Sequence, residues 1–376
     1  MLVLKEEQLY TNFIESLRAP KTKLNYLKSL QQYMKFHNFS KYSELMSGQS
    51  YYEEIKSFIL DMKARELSTI SMKVHLCAIK CFYEMNDVET IKWKKLFRFR
   101  GEDTMTNEDR AYTHEEIQKM LTTADLRLKA SILLMASSGM RIGALPNLKV
   151  HDMDIGIQHS SHDVYNNDTS NGESNGSNLT KSIIVYSKTS AKYITFITPE
   201  CRKAIDDYLA FRERCGEKIT ADSPLFRNEF DTDFIEAARK HVKACSNTTL
   251  RISIDKNLIM CGLKTVDHIN RAGKNRKPVQ ATHGFRKFFR TQLLLAKVDH
   301  DVRELLMGHS KHKLELVYTR LTEEEMYHEY EKAIDFLTID PANRLQRKVE
   351  MLTVEKSKVD QVMAEIQAMK KKMGID

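Results

Sequence analysis

The sequence predicts a mainly α-helical chain with one small β-hairpin. It divides into an N-terminal helical bundle over residues 1–100, a linker over 101–112, an α+β domain over 113–338 and a terminal coiled-coil helix over 339–376. Three patterns carry this division. Apolar residues recur at three- and four-residue intervals through most of the chain. A single stretch near residue 185 alternates instead and is rich in β-branched residues. Past Pro341 the apolar positions settle into a seven-residue repeat. At 376 residues the chain also exceeds one typical domain, which favours two folded units and an appendage.

In the first unit, Leu24, Leu27, Leu30, Tyr33 and Met34 mark one amphipathic helix, and Ile55, Phe58, Ile59 and Met62 a second. Ile70, Val74, Cys77, Ala78, Cys81 and Phe82 mark a third. Polar breaks such as Ser47-Gly48-Gln49-Ser50 separate them, so a small bundle is expected. Lys21, Lys23 and Lys28 lie between the apolar positions, where a solvated helix face and a set of phosphate contacts predict the same spacing.

The linker includes the charged run GEDTMTNEDR. Thr113 then N-caps a new helix, with Glu115 and Glu116 in its positively polarised first turn. An apolar run from Ala130 to Ala136 ends at a Ser-Gly break, and Arg141 opens the next segment, with Pro146 near its start. Residues 158–180 are almost wholly Ser, Asn, Asp, Gly and His, as in a flexible surface insertion. KSIIVYSKTSAKYITFITPE then reads as a hairpin with Lys188 at its turn. Helical patterns resume at Glu200 and lead to a basic loop containing Arg271, Lys274, Arg276 and Lys277. Thr322 and Glu325 form a capping box for a helix carrying Met326, Tyr330, Ala333, Ile334 and Leu337. In the tail, Leu345, Leu352, Val359, Ile366 and Met373 repeat every seven residues, with Val349 and Met363 at the intermediate seam positions, which Lys356 and Lys370 interrupt. A coiled coil with a weakened seam is expected; a lone helix packed back on the body is the alternative.

A net charge of +8, from 59 basic and 51 acidic residues, tilts the partners toward polyanions through local patches. The six cysteines are scattered without paired spacing, which argues against a zinc site and a disulfide framework and favours reduced thiols. The N-terminus, MLVLKEEQLYTNF, acquires charge within five residues, and no apolar run approaches the roughly 18 residues of a membrane span. A soluble cytoplasmic protein is expected.

The stretch ATHGFRKFFRTQLLLAKVDHDVRELLMGHSKHKLELVYTR holds His283, Arg286, His309 and Tyr318. Two imidazoles, a guanidinium and a phenol converging on one anion suit chemistry on a phosphodiester. Together with Arg141 and Lys188 they resemble the active-site set of the tyrosine recombinases, the family of phage lambda integrase and the Xer proteins. SSGMRIGALPNL resembles that family's first arginine box, SKTS its lysine loop, HGFR its H-x-x-R box, and LMGHSKHKLELVY its G-H box followed by the nucleophile. His309 to Tyr318 is nine residues and His283 to His309 is twenty-six, both similar to the family pattern. One departure stands out: Ala144 occupies the position, three after the first arginine, where the family often has an acid that would orient that arginine.

The resemblance implies a helical core-binding domain and a mixed catalytic domain that clamp duplex DNA. It implies Tyr318 as nucleophile, forming a 3′-phosphotyrosyl enzyme, and His283 as its base. An unperturbed tyrosine, with a pKa near 10, is handicapped by about 3 units at pH 7, roughly 4 kcal/mol, so it needs such help. Arg141 and Arg286 would bind phosphoryl oxygens. His309 would add a hydrogen bond, and Lys188, with Lys192 as alternative, would protonate the departing 5′-oxygen. No metal, cofactor or ATP is implied. The implied partners are double-stranded DNA attachment sites and further copies of the chain, as a tetramer on DNA, with the lysines and arginines at 21, 23, 28, 271, 274, 276 and 277 as candidate DNA contacts. The expected activity is site-specific recombination, as by an integrase of a virus or mobile element. A type IB-like topoisomerase or Xer-type resolvase is the alternative enzyme, and a catalytically inactive DNA-binding protein the alternative of another class. Tyr327 and Tyr330 are weaker nucleophile candidates because their spacing from His309 misses the pattern.

Overall fold

Helical periodicity becomes helix at almost every predicted position in the computed structural model, which describes residues 6–48, 50–102, 109–153, 182–232, 234–240, 242–264, 279–309 and 321–373. The polar insertion at 158–180, the basic loop at 271–278 and Tyr318 lie outside the described residues. The chain divides into two compact units, Met1–Asn107 and Glu108–Asp376.

The first unit is helical: α1 (Glu6–Glu15), α2 (Pro20–Phe36), α3 (Tyr42–Leu45), α4 (Tyr51–Ala64), α5 (Thr69–Met85) and α6 (Trp93–Arg100). Pro20 opens α2, where its missing N–H costs nothing. Leu30, Tyr33, Ile55, Phe58, Ile59 and Met62 are buried in one core, as their spacing predicts. On α5 the buried face matches the expected one only in part: Ala78 and Phe82 are buried as expected, together with Met72, Leu76, Ile79 and Tyr83, while Ile70 and Val74 are 63% and 41% exposed. This helix carries apolar residues around most of its girth, so two overlapping stripes satisfy the period, and packing against α1 and α2 selects one. Lys21 and Lys28 are exposed on α2, whereas Lys23 pairs with Glu15 at 3.0 Å.

In the second unit, Thr113 and Glu116 close a complete capping box on α7 (His114–Thr123). Helix α8 (Leu126–Ser138) is buried over nearly its whole length and ends at Gly139, whose φ of +63° favours glycine. A Cβ at Gly139 would run into the ring of Phe289. Two short 3-10 turns follow, Ile142–Asn147 and Val150–Met153. Strands β1 (Ser182–Val185) and β2 (Tyr193–Phe196) form the predicted antiparallel hairpin, with Val185 opposite Tyr193. Next come α9 (Pro199–Arg214), α10 (Ile235–Arg239), α11 (Asn247–Met260), α12 (His283–Leu295) and α13 (His300–Leu306). Helices α9 and α12 pack against α8, and α13 packs against β2.

The helix predicted from Thr322 carries its capping box but is split into α14 (Glu323–Glu331) and α15 (Ile334–Leu337). Tyr330, Ala333, Ile334 and Leu337 are buried at the break. The tail is one helix, α16 (Pro341–Met373), along which Leu345, Val349, Leu352, Val359, Met363 and Ile366 are exposed. The six cysteines are unpaired. Among the described residues no helix is long and apolar enough to cross a membrane.

A buried ion cluster braces the far side of α9. The Glu217 carboxylate accepts from Arg212 at 2.5 and 3.0 Å and from Arg227 at 2.6 Å, and all three side chains are almost fully buried. Arg212 also donates to the carbonyls of Pro224 and Leu225, and Arg227 to that of Ala238. Burial alone would raise the Glu217 pKa, but the bonds from the two arginines hold it below its ordinary value of 4.5. Glu217→Gln leaves two buried guanidiniums without a counter-charge and is expected to cost about 3–5 kcal/mol in urea unfolding at pH 7. Because the folded pKa is depressed, that difference should be present above pH 4.5 and shrink as the pH falls through the folded value.

Candidate active site

The carbonyl end of α8 supplies the frame. The last carbonyls of a helix have no intrahelical partner, and here three distant side chains take them up. The Tyr330 hydroxyl donates to Ser137 O at 2.8 Å, Thr195 Oγ1 to Ser138 O at 3.2 Å, and Arg286 Nη1 to Gly139 O at 2.7 Å. Helix α14, strand β2 and helix α12 are thereby pinned to one point. The same bond disqualifies Tyr330 as a nucleophile, since its ring is fully buried and its hydroxyl is already committed.

Arg286 sits one turn into α12 and is 4% exposed. Its Nη2 donates to Met307 O at 2.6 Å and lies 2.7 Å from His309 Nε2. His309 Nδ1 in turn bonds the Glu304 carboxylate, whose other oxygen is 3.3 Å from Arg290 Nη2. With the proton on Nδ1 directed at Glu304, Nε2 is the acceptor toward Arg286, a tautomer assigned from this network. His309 therefore reaches the site as an acceptor for Arg286, and donating to a phosphate requires its Nε2 both to leave Arg286 and to carry a proton. Burial tends to raise the Glu304 pKa, but the bond to His309 and the Arg290 charge outweigh it, so the carboxyl stays below its ordinary range.

His283 is the first residue of α12, with an exposed ring. Partial desolvation, and then the charges of Arg286, Lys287 and Arg141, push its pKa below 6.5, so the imidazole is neutral at pH 7. Arg141 is exposed at the start of the first 3-10 turn, between the buried anchors Met140 and Ala144. Its side chain makes no hydrogen bond or ion pair among the described residues, and its charge is felt at His283, Arg286 and Tyr193. Ala144 packs in the core where the family's acid would stand, and the carboxylate of this site is Glu304, serving His309 instead.

Arg141, His283, Arg286 and His309 are thus brought together. Lys188 lies at the exposed hairpin turn with Lys192, its charge registers at Asp222, and among the described residues no hydrogen bond or ion pair joins it to these four. Sequence reasoning missed Glu304 and Tyr193. A signal existed for Glu304, since an acid in the last turn of a helix opposes the macrodipole and so asks for a local reason.

The phage integrase family profile matches residues 110–325 of this sequence. The chain belongs to that family. No curated protein matches the sequence as a relative. Among solved structures, the Tn1549 transposon integrase in complex with transposon right end DNA is similar, at 15% identity and a TM-score of 0.53, over 88% of this chain and 99% of that one. A lambda integrase dimer bound to a COC′ core site matches at 12% identity and a TM-score of 0.52, over 83% and 75% of the two chains. The post-cleavage complex of XerH with palindromic difH matches at 15% and 0.52, over 87% and 96%. At these identities the likeness is one of fold. Family membership makes this integrase-family chain a tyrosine-type site-specific DNA recombinase, and none of the alternatives, a topoisomerase, an Xer-type resolvase or an inactive DNA-binding protein, is favoured.

Replacing Glu304 by Gln removes the charge that orients His309. The integrase-family chain should lose about 1–3 kcal/mol in denaturant unfolding at pH 7. The loss should persist down to pH 4.5 and fade below it, as the depressed folded pKa requires.

Proposed function

We propose that this recombinase cleaves and rejoins duplex DNA at defined attachment sites through a 3′-phosphotyrosyl link to Tyr318, moving a viral or mobile element between DNA sites. The observation that carries the reading is a buried Arg286, bonded to backbone carbonyls and His309, beside an exposed Arg141 and a neutral His283. Both guanidiniums keep donors for the non-bridging oxygens of one phosphate, whose charge grows as the pentavalent transition state forms.

The Tyr318 oxygen attacks phosphorus while its proton passes to His283, whose lowered pKa leaves it able to accept. The P–O bond to the 5′-oxygen breaks, and Lys188, or Lys192 beside it, protonates the leaving group once the hairpin turn closes on bound DNA. The phosphotyrosyl bond conserves the energy of the cleaved link, so a 5′-hydroxyl from another duplex can reverse the step without ATP or metal.

Lys21 and Lys28 on α2, and the basic residues Arg271, Lys274, Arg276 and Lys277, would track the DNA backbone; Lys23 is engaged with Glu15. The solved relatives include DNA complexes, one of them a dimer, which supports DNA-bound assembly of this chain as well. Four copies on two duplexes is the proposed working unit, with the exposed apolar seam of α16 as a contact between copies. The site of action is intracellular DNA.

On a nicked suicide substrate, Tyr318→Phe should bind DNA within about threefold of the parent yet yield no covalent adduct on a denaturing gel. An adduct in that variant would sink the assignment. The pH profile of single-turnover cleavage offers a second check. Because the His283 pKa lies below 6.5, the acid limb should begin below that value; an acid limb centred above pH 6.5 would remove His283 from the role of base.

A further inference from the structure

Tyr193 opens β2 opposite Val185, five residues after Lys188, and its side chain turns inward. The ring packs against the turn that carries His309: a Cβ at Gly308, where φ is +65°, would lie 2.5 Å from the Tyr193 ring. Tyr193 is 9% exposed, and its buried hydroxyl stands beside the Arg286 guanidinium, which can only donate to the phenol oxygen, so the hydroxyl proton has no acceptor among the described residues. Yet the hydroxyl lies in the field of both Arg286 and Arg141. A buried donor that forgoes water without a protein partner destabilises the fold, and a phenylalanine would fill the same space without that cost. Among the described residues the hydroxyl proton is therefore left without an acceptor, beside the guanidiniums that would grip an anion.

We propose that Tyr193 is a phosphate-binding residue, whose hydroxyl donates a hydrogen bond to a non-bridging oxygen of the phosphodiester held by Arg141 and Arg286. The inference rests on the reading of that arginine pair as the phosphate site. Burial raises the Tyr193 pKa to about 12 against the opposing pull of the Arg286 charge. The phenol accordingly stays protonated at neutral pH, which suits a donor and disqualifies it as the attacking nucleophile. Its position at the base of the hairpin also places a fixed contact close in sequence to the exposed turn carrying Lys188. Anchoring the phosphate at Tyr193 sets the distance that the lysine turn must span.

The test uses the full chain and orthovanadate as the probe, with affinity read by calorimetry and folding by thermal unfolding without ligand. Arg141→Ala should abolish measurable orthovanadate binding. Tyr193→Phe should weaken it about tenfold, the loss expected for one hydrogen bond to a charged acceptor, while its Tm equals or exceeds that of the parent because an unsatisfied buried donor has gone. If Arg141→Ala loses binding but Tyr193→Phe binds within twofold of the parent, the Tyr193 assignment is overturned and the arginine site stands. A fall in both Tm and affinity in Tyr193→Phe would assign it a packing role and overturn the proposal. Unchanged binding in Arg141→Ala would overturn the arginine site and the inference with it.

Discussion

The second unit depends on how one buried guanidinium is held. Arg286 is a permanent cation taken out of water, and a buried charge is stable only when its donors are satisfied. Its main partners are backbone carbonyls from two separate segments, Gly139 at the end of α8 and Met307 at the end of α13, together with the His309 imidazole. Among the described residues no carboxylate touches it directly; Glu304 stands one residue removed, behind His309. The difference matters for function. A direct ion pair would cancel the charge, whereas carbonyl dipoles satisfy the donors and leave the positive potential available to an incoming phosphate in a partly desolvated setting, where it acts more strongly than in water.

The same clamp explains why chain segments distant in sequence form one site. The carbonyl end of α8 is shared among Tyr330, Thr195 and Arg286, so α14, β2 and α12 are each fixed to it by one hydrogen bond. His283 and Arg141 then follow from their places at the starts of α12 and of the first 3-10 turn. The clamp does not reach Lys188, the proposed leaving-group acid. Lys188 is on the exposed turn, where its charge is felt at Asp222.

Much of this was legible in the residues. The N-cap at Thr113, the capping box at Thr322, the glycine stop at Gly139 and the hairpin between Ser182 and Phe196 are local signals, and local signals survive folding. The resemblance placed Arg141, His283, Arg286 and His309 in one site, and the fold draws these four together. Less legible were features decided by tertiary packing. The buried face of α5 was ambiguous because the helix is apolar nearly all round. The break between α14 and α15 falls within an unbroken helical period. Glu304 does its work through a turn that reverses the chain onto His309, and Tyr193 looks in sequence like an ordinary strand residue, distinguished only by where its hydroxyl ends up. Pairing of Lys23 with Glu15 likewise depends on how α1 meets α2, which spacing does not specify.

In the proposed roles Arg286 serves fold and chemistry at once, whereas Arg141 serves chemistry alone. Urea unfolding of Arg286→Lys and Arg141→Lys, measured side by side at pH 7, tests it most directly. A lysine cannot span the carbonyls of Gly139 and Met307 with a planar fork, so Arg286→Lys should lose about 2–4 kcal/mol, while Arg141→Lys should stay within about 0.5 kcal/mol of the parent, as surface substitutions do. An Arg286→Lys protein as stable as the parent would contradict the account.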